Sequence, residues 1–141
     1  QFDMVATAHA PPPAEAKSCE WRAAATGRVG LGSALRVVHQ GRVQTGRLWW
    51  DDVAGVMPAA PARIGRLDHA GTPLVAGAPA SLTLYDPAPT RTFARADLRG
   101  RSVNSPYLGR ELPGEVRWTF FRGAPTVAGG VVATTMGEVS A

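Results

Sequence analysis

The chain has 141 residues, 45% of them hydrophobic and 18% charged, with 15 basic against 11 acidic side chains and a net charge of +4. That length suits one domain, no apolar run reaches the roughly 20 residues that span a bilayer, and Asp3 stands where a secretory leader keeps its positive residues. The basic excess is 14 arginines scattered from Arg22 to Arg122, so nucleic-acid binding is not expected, and the lone Cys19 leaves no intrachain disulfide, which fits a reducing compartment.

Asp3 to Ala8 reads as a short buried strand, with Met4, Val5 and Ala6 as its apolar run. Pro11, Pro12 and Pro13 end it, because each lacks a backbone N–H and restricts the residue before it. Glu15 to Ala25 is a polar loop with a short helical turn. Leu31 to Gln40 is predicted helical, since Leu31, Leu35 and Val38 recur at helical spacing, and Gly41 is its expected stop. A second helix is expected from Trp49 to Met57, with Asp51 and Asp52 in the first turn, where the dipole favours acids. Pro58 and Pro61 are expected to break it, with one more turn over residues 62–67.

From Asp68 onward glycine and proline punctuate short β-like runs. Ser81 to Asp86 alternates, Leu82 and Leu84 facing one way and Thr83 and Tyr85 the other, with Pro87 and Pro89 closing the strand. Val116 to Gly123 has aromatic and β-branched strand content. PTVAGGVVATT reads as a hairpin turning at Gly129-Gly130. Two unlike parts result, 1–67 and 68–141, and neither looks self-sufficient: one parallel-type strand cannot make a sheet.

The chemistry-bearing residues mostly have plain explanations. His9, His39 and His69 lack metal-ligand spacing; His39 and His69 read as solvent-facing, and only His9 has a functional rival, a substrate contact at a strand end. Asp51 and Asp52 fit helix-start electrostatics, and Glu15 and Glu20 with Lys17 and Arg22 make a solvated face. GRVGLG lacks the Lys-Ser/Thr and the glycine spacing of a phosphate loop. RSVNSP, with Asn104, is turn chemistry. Trp49, Trp50, Trp118, Phe120 and Phe121 read as core or interface, and Cys19 as inert, no His/Asn partner pattern accompanying it.

The ordered series TAHAP, EAKSCEW, GRVGLGSAL, PARIGRL, GAPASLTLYDP, RSVNSPYLGRELPGEV and FFRGAPTV resembles the C-terminal part of dihydroorotase, of the bacterial type within the cyclic amidohydrolases, from Asp3 to about Val132. The resemblance implies an α/β-plus-β fold: the C-terminal piece of a metal-dependent (β/α)8 barrel over 1–67, its eighth strand and closing helices, followed over 68–141 by the C-terminal share of a small β-sandwich. A whole barrel takes about 250 residues, so the resemblance implies that earlier strands lie outside this chain, and Gln1 in place of Met hints at a piece of something longer.

The family reaction is the reversible cyclisation of N-carbamoyl-aspartate to dihydroorotate in cytoplasmic pyrimidine synthesis. It uses zinc, held by a His-x-His pair, a carboxylated lysine and further histidines on earlier strands. A metal-bound hydroxide attacks the ring amide, and an Asp before His-Ala-Pro binds metal and moves the proton. Here that slot is Ala8, so no catalytic residue and no metal ligand is assigned to this chain. The histidine that often follows Ala-Pro and contacts the substrate carboxylate is replaced by Pro12. The aromatic before the loop glycine is Thr26, and the Glu of Gly-Leu-Glu is Gly32. His9 and Gly27 match the family and are the candidate substrate-binding residues. Three readings follow: a dihydroorotase by descent that is truncated and inactive alone, a non-catalytic structural partner of aspartate transcarbamoylase, and a truncated product with no function of its own.

Overall fold

The structure is a computed structural model that describes residues 2–68 and 70–133, so His69 lies outside the described residues. After an extended start and a 3-10 turn at Glu15–Lys17, two interrupted helices follow. The first runs through a 3-10 turn (Leu31–Ser33), helix α1 (Ala34–Val38) and a π-helical turn (His39–Val43). The second is α2 (Trp50–Ala54), a π-helical turn (Gly55–Ala59) and α3 (Ala60–Ile64). Strands β1 (Leu82–Thr92), β2 (Glu111–Phe121), β3 (Ala124–Ala128) and β4 (Val131–Val132) form one antiparallel sheet in sequence order. Among the described residues no helix is long and apolar enough to cross a membrane.

Several sequence expectations are corrected. No strand forms at residues 3–8, whose backbone is extended but largely exposed; its ties are Val5 N–H to Val56 O at 2.9 Å and a lone parallel bridge between His9 and Arg28. A strand exists through its ladder, and one bridge is not a ladder. Gly41 does not stop the first helix, which widens into the π turn and ends near Gly46, where φ is +69°. Pro58 and Pro61 do not break the second. Pro58 sits in the π turn and Pro61 in the first turn of α3, where helical register tolerates a missing N–H. The expected start does hold: Trp49 N–H donates to the Asp52 carboxylate at 2.8 Å.

In the sheet, Pro87 and Pro89 do not close β1. The pairing passes from Asp86↔Glu115 to Thr90↔Pro113, so the β1 segment between them bulges out opposite Gly114, and Asp86 Oδ1 caps the bulge by accepting Ala88 N–H at 3.0 Å. Prolines that donate nothing fit a bulge rather than a ladder. Both hairpins turn on positive φ. Arg122 (51°) and Gly123 (88°) join β2 to β3, and Gly129 (56°) and Gly130 (83°) join β3 to β4, the mirror-image turn that matches strand twist.

The core lies between the parts. Phe93 and Leu112 are fully buried and pack with Val29 and Leu98, and Val37, Tyr107 and Leu108 close over them. Residues on both sides of position 67 thus share one apolar cluster. Arg36 on α1 bolts them together. The residue is 5% exposed, and its guanidinium donates to Arg91 O (2.9 Å), Leu112 O (2.5 Å) and Pro113 O (3.3 Å). Burial, and secondarily the neighbouring Arg91, lower its pKa. His39, expected in solvent, is 5% exposed. Its Nδ1 lies 3.0 Å from Tyr85 Oη, and the Tyr85 hydroxyl in turn reaches Pro113 O at 3.0 Å. Trp50 completes this group, its ring centroid 5.0 Å from His39 and 5.4 Å from Tyr85. Gly114, at φ +75°, leaves room for the phenol: a Cβ there would lie 1.8 Å from Tyr85 Oη.

Candidate functional site

The extended segment through His9 and Ala10 meets the segment Gly27 to Leu31 edge to edge. Ala10 N–H donates to Arg28 O at 3.0 Å. His9 Nδ1 accepts Gly30 N–H at 3.2 Å and Leu31 N–H at 3.4 Å, which puts the imidazole proton on Nε2. Gly27 is needed where it stands: its φ is +123°, and a Cβ would come within 2.3 Å of Ala10 O. The two candidate substrate-binding residues, His9 and Gly27, far apart in sequence, are therefore brought together.

The replaced positions surround them. Ala8 is exposed beside His9, Thr26 is exposed, and Pro12 is buried. A Cβ on Gly32 would lie 3.0 Å from Asp97 O, so the missing Glu coincides with a close backbone approach. A cleft of about 700 Å³ opens here, bordered by His9, Pro12, Leu31, Asp97, Arg99 and Arg101. Asp97 is the fixed charge on its wall, bidentate to Arg91 (2.8 and 2.5 Å) and accepting Ala94 N–H at 2.7 Å. Burial raises its carboxyl pKa, but the Arg91 and Ala94 hydrogen bonds with the arginine charges outweigh that and hold it below the usual value.

A second, apolar cleft of about 840 Å³ lies between α2 and the sheet, lined by Trp50, Val53, Met57, Leu82, Tyr85 and Phe120. It does not reach His9. Cys19 is exposed, its Sγ 3.7 Å from Ala16 O. Among the described residues no three His, Cys, Asp or Glu side chains gather as a metal site. Zinc does not fit the pocket as built: Ala8 offers a methyl group, and His9 commits Nδ1 to backbone donors.

Sequence reading missed Asn104, taken only as a turn residue. Its Nδ2 donates to Gly27 O at 2.5 Å, and its backbone O accepts Val29 N–H at 2.8 Å. Nothing in linear spacing links position 104 to position 27; the amide of an Asn in a Ser-Pro turn was the only available signal.

No family model matches the chain. Among curated proteins it is 58% identical over 136 residues to the dihydroorotase of Leifsonia xyli subsp. xyli, covering 96% of this chain and 31% of that protein. It is 51% identical over 129 residues to the dihydroorotase of Streptomyces coelicolor, covering 92% and 30%. The chain thus spans about 30% of the length of the curated relatives it matches. Among solved structures it superposes on the L-hydantoinase (dihydropyrimidinase) of Arthrobacter aurescens with TM-score 0.83 at 27% identity, covering 94% of this chain and 30% of the other. The D-hydantoinase (dihydropyrimidinase) of Thermus sp. gives TM-score 0.83 at 23% identity, covering 97% and 31%; that likeness is one of fold. Over nearly its whole length, the chain is homologous to the C-terminal part of the dihydroorotases.

Proposed function

We propose that this is a dihydroorotase-like chain that keeps the substrate-contact framework of the family and has lost its proton carrier. The family reaction is the reversible cyclisation of N-carbamoyl-aspartate to dihydroorotate. In this reading 1–67 is the barrel end and 68–141 the sandwich portion, sharing a core. His9 presents Nε2–H toward the small-molecule substrate, and Gly27 allows close backbone approach. Zinc belongs to the reading only through the family resemblance and is assigned no ligand here. A cytoplasmic location belongs to it in the same way.

The observation that carries the proposal is Ala8: an exposed methyl group directly before His9, where the family pattern has an acid. A positioned acid–base group contributes about 10²–10⁴-fold, and a methyl group contributes none. The test is hydrolysis of dihydroorotate by the purified 141-residue chain with added zinc. A rate equal to buffer is expected; turnover above it overturns the proposal.

The loss of both the Asp (Ala8) and the His (Pro12) also favours a second reading, a non-catalytic structural partner of aspartate transcarbamoylase. Co-purification with that enzyme supports it, and failure of the two purified proteins to associate at micromolar concentration rejects it.

A further inference from the structure

We infer that Asn104 is a positioning residue for the His9–Gly27 site, a part nothing in its linear context assigns. The inference rests on the substrate-contact reading above. The geometry behind it is a three-segment stack. The outer segment is His9-Ala10, tied to the middle segment, Gly27 to Leu31, by the Ala10 N–H to Arg28 O bond and by the two amides that donate to His9 Nδ1. The middle segment's other side is hydrogen-bonded by Asn104, through its side chain to Gly27 O and its backbone O to Val29 N–H, while the Val29 side chain packs into the core. Because Gly27 is a glycine at φ +123°, its own backbone does little to hold that conformation. An external partner must define it, and Asn104 is that partner.

The chemistry is specific to an amide. Gly27 presents a carbonyl, so the partner must donate, and the half-buried setting makes an unmet carbonyl costly. Val29 N–H needs an acceptor as well, which the Asn104 backbone O supplies, so one residue satisfies both polarities. Asn104 reaches this point from the loop after Ser102, which also borders the cleft beside His9. The same loop that walls the cleft therefore sets the height of the Gly27 backbone and, through Gly30 and Leu31, the orientation of the His9 ring.

Two of the three histidines serve the test: His9 accepts through Nδ1 and so carries its proton on Nε2, while His39 lies against Tyr85 and reports on the rest of the fold. Imidazole ¹⁵N spectra of the full chain, wild type against Asn104→Asp, follow each one. Asp has the shape of Asn but turns an acceptor toward Gly27 O. The expected result is a shifted His9 Nδ1 resonance, amide exchange at Val29, Gly30 and Leu31 faster by roughly fivefold to tenfold, and His39 unmoved. Unchanged His9 signals overturn the inference. Loss of His9 and His39 signals together in both Asn104→Asp and Asn104→Ala also overturns it, since the residue would then serve the whole fold. A separate arm adds dihydroorotate to the wild type. If the His9 signal ignores dihydroorotate while Asn104→Asp still moves it, the substrate reading fails and the positioning role stands.

Discussion

Residues 3–10 and residues 82–92 are both extended, and both carry apolar side chains among polar ones. Only the second is a strand. Leu82 to Asp86 finds β2 about 30 residues later and pairs with it through Phe120, Thr119, Trp118, Val116 and Glu115. Residues 3–10 find Val56, Arg28 and, through the His9 ring, the Gly30 and Leu31 amides, scattered bonds and one bridge. The difference teaches that an apolar extended run is a request for partners, and that the fold near His9 is held by single contacts where the sheet is held by a ladder.

The most damaging way to break that contrast is to remove what couples the two regions. Arg36 supplies three hydrogen bonds to carbonyls of β1 and β2 from helix α1, which follows the segment that His9 docks on. Arg36→Met keeps the aliphatic bulk and removes those hydrogen bonds. Pro113 O keeps the Tyr85 hydroxyl, so two carbonyls are left without this donor; at about 1–3 kcal/mol for each unmet buried group, a loss of about 2–6 kcal/mol is expected, read as a lower urea midpoint. Amide exchange should rise first around His9 and Arg28 and last in the β1–β2 ladder. Uniform exchange across both regions would show that they do not differ in the way argued.

A smaller effect sharpens the same contrast from the sheet side. Gly114→Ala places a Cβ on top of Tyr85 Oη and also strains a backbone at φ +75°. Overpacking with backbone strain costs about 2–3 kcal/mol. The phenol must leave Pro113 O and His39 Nδ1, and near-ultraviolet circular dichroism of the Trp50–Tyr85 pair should change. An unaltered aromatic signal would mean that the cluster does not depend on the bulge.

Titration gives a milder handle. Burial lowers the His39 pKa, against a backbone hydrogen bond that raises it. The folded chain therefore holds fewer protons than the unfolded one near pH 6.5, and stability falls as pH drops below that value. The Asp97 carboxyl is lowered too, so its contribution is present above pH 3.8 and is lost as pH falls through the folded value. Tyr85 moves the other way: burial raises it from 10.0 to about 12, with Arg36 opposing and Asp86 adding. Its contribution is full below pH 10 and is lost between about 10 and 12. Urea midpoints across pH should show these limbs. His39→Gln should flatten the one near 6.5, and Asp97→Asn the acidic one.

These residues also show what the sequence could disclose. The 129–130 turn and the acidic start of the second helix were legible from local chemistry, and His9 and Gly27 were singled out by motif order, without their spatial relation. The strand limits were not, because Pro87 and Pro89 read as stops in one dimension and as a bulge once Gly114 lies opposite. Arg36 and His39 were illegible for a related reason: polar side chains on a helix read as solvated, and only the tertiary carbonyls at positions 91, 112 and 113 and the phenol at 85 turn them inward. Asn104 needed the same third dimension.

The smallest expected effect bears on the site itself. Ala8→Asp restores the acid that the family pattern carries, on an exposed position beside His9 where a carboxylate meets no steric barrier. If the missing acid were the whole defect, turnover of dihydroorotate would rise by orders of magnitude. No rise is expected. A carboxylate can relay a proton only when a nucleophile stands within reach, and among the described residues no group of metal-binding side chains surrounds this point. The neighbouring imidazole has its Nδ1 occupied by the Gly30 and Leu31 amides, so it cannot serve as the base instead. Turnover in Ala8→Asp above the wild-type background would mean that the segment held by single contacts carries more of the reaction than its geometry supplies, and would reverse the assignment of His9 and Gly27 to substrate contact alone.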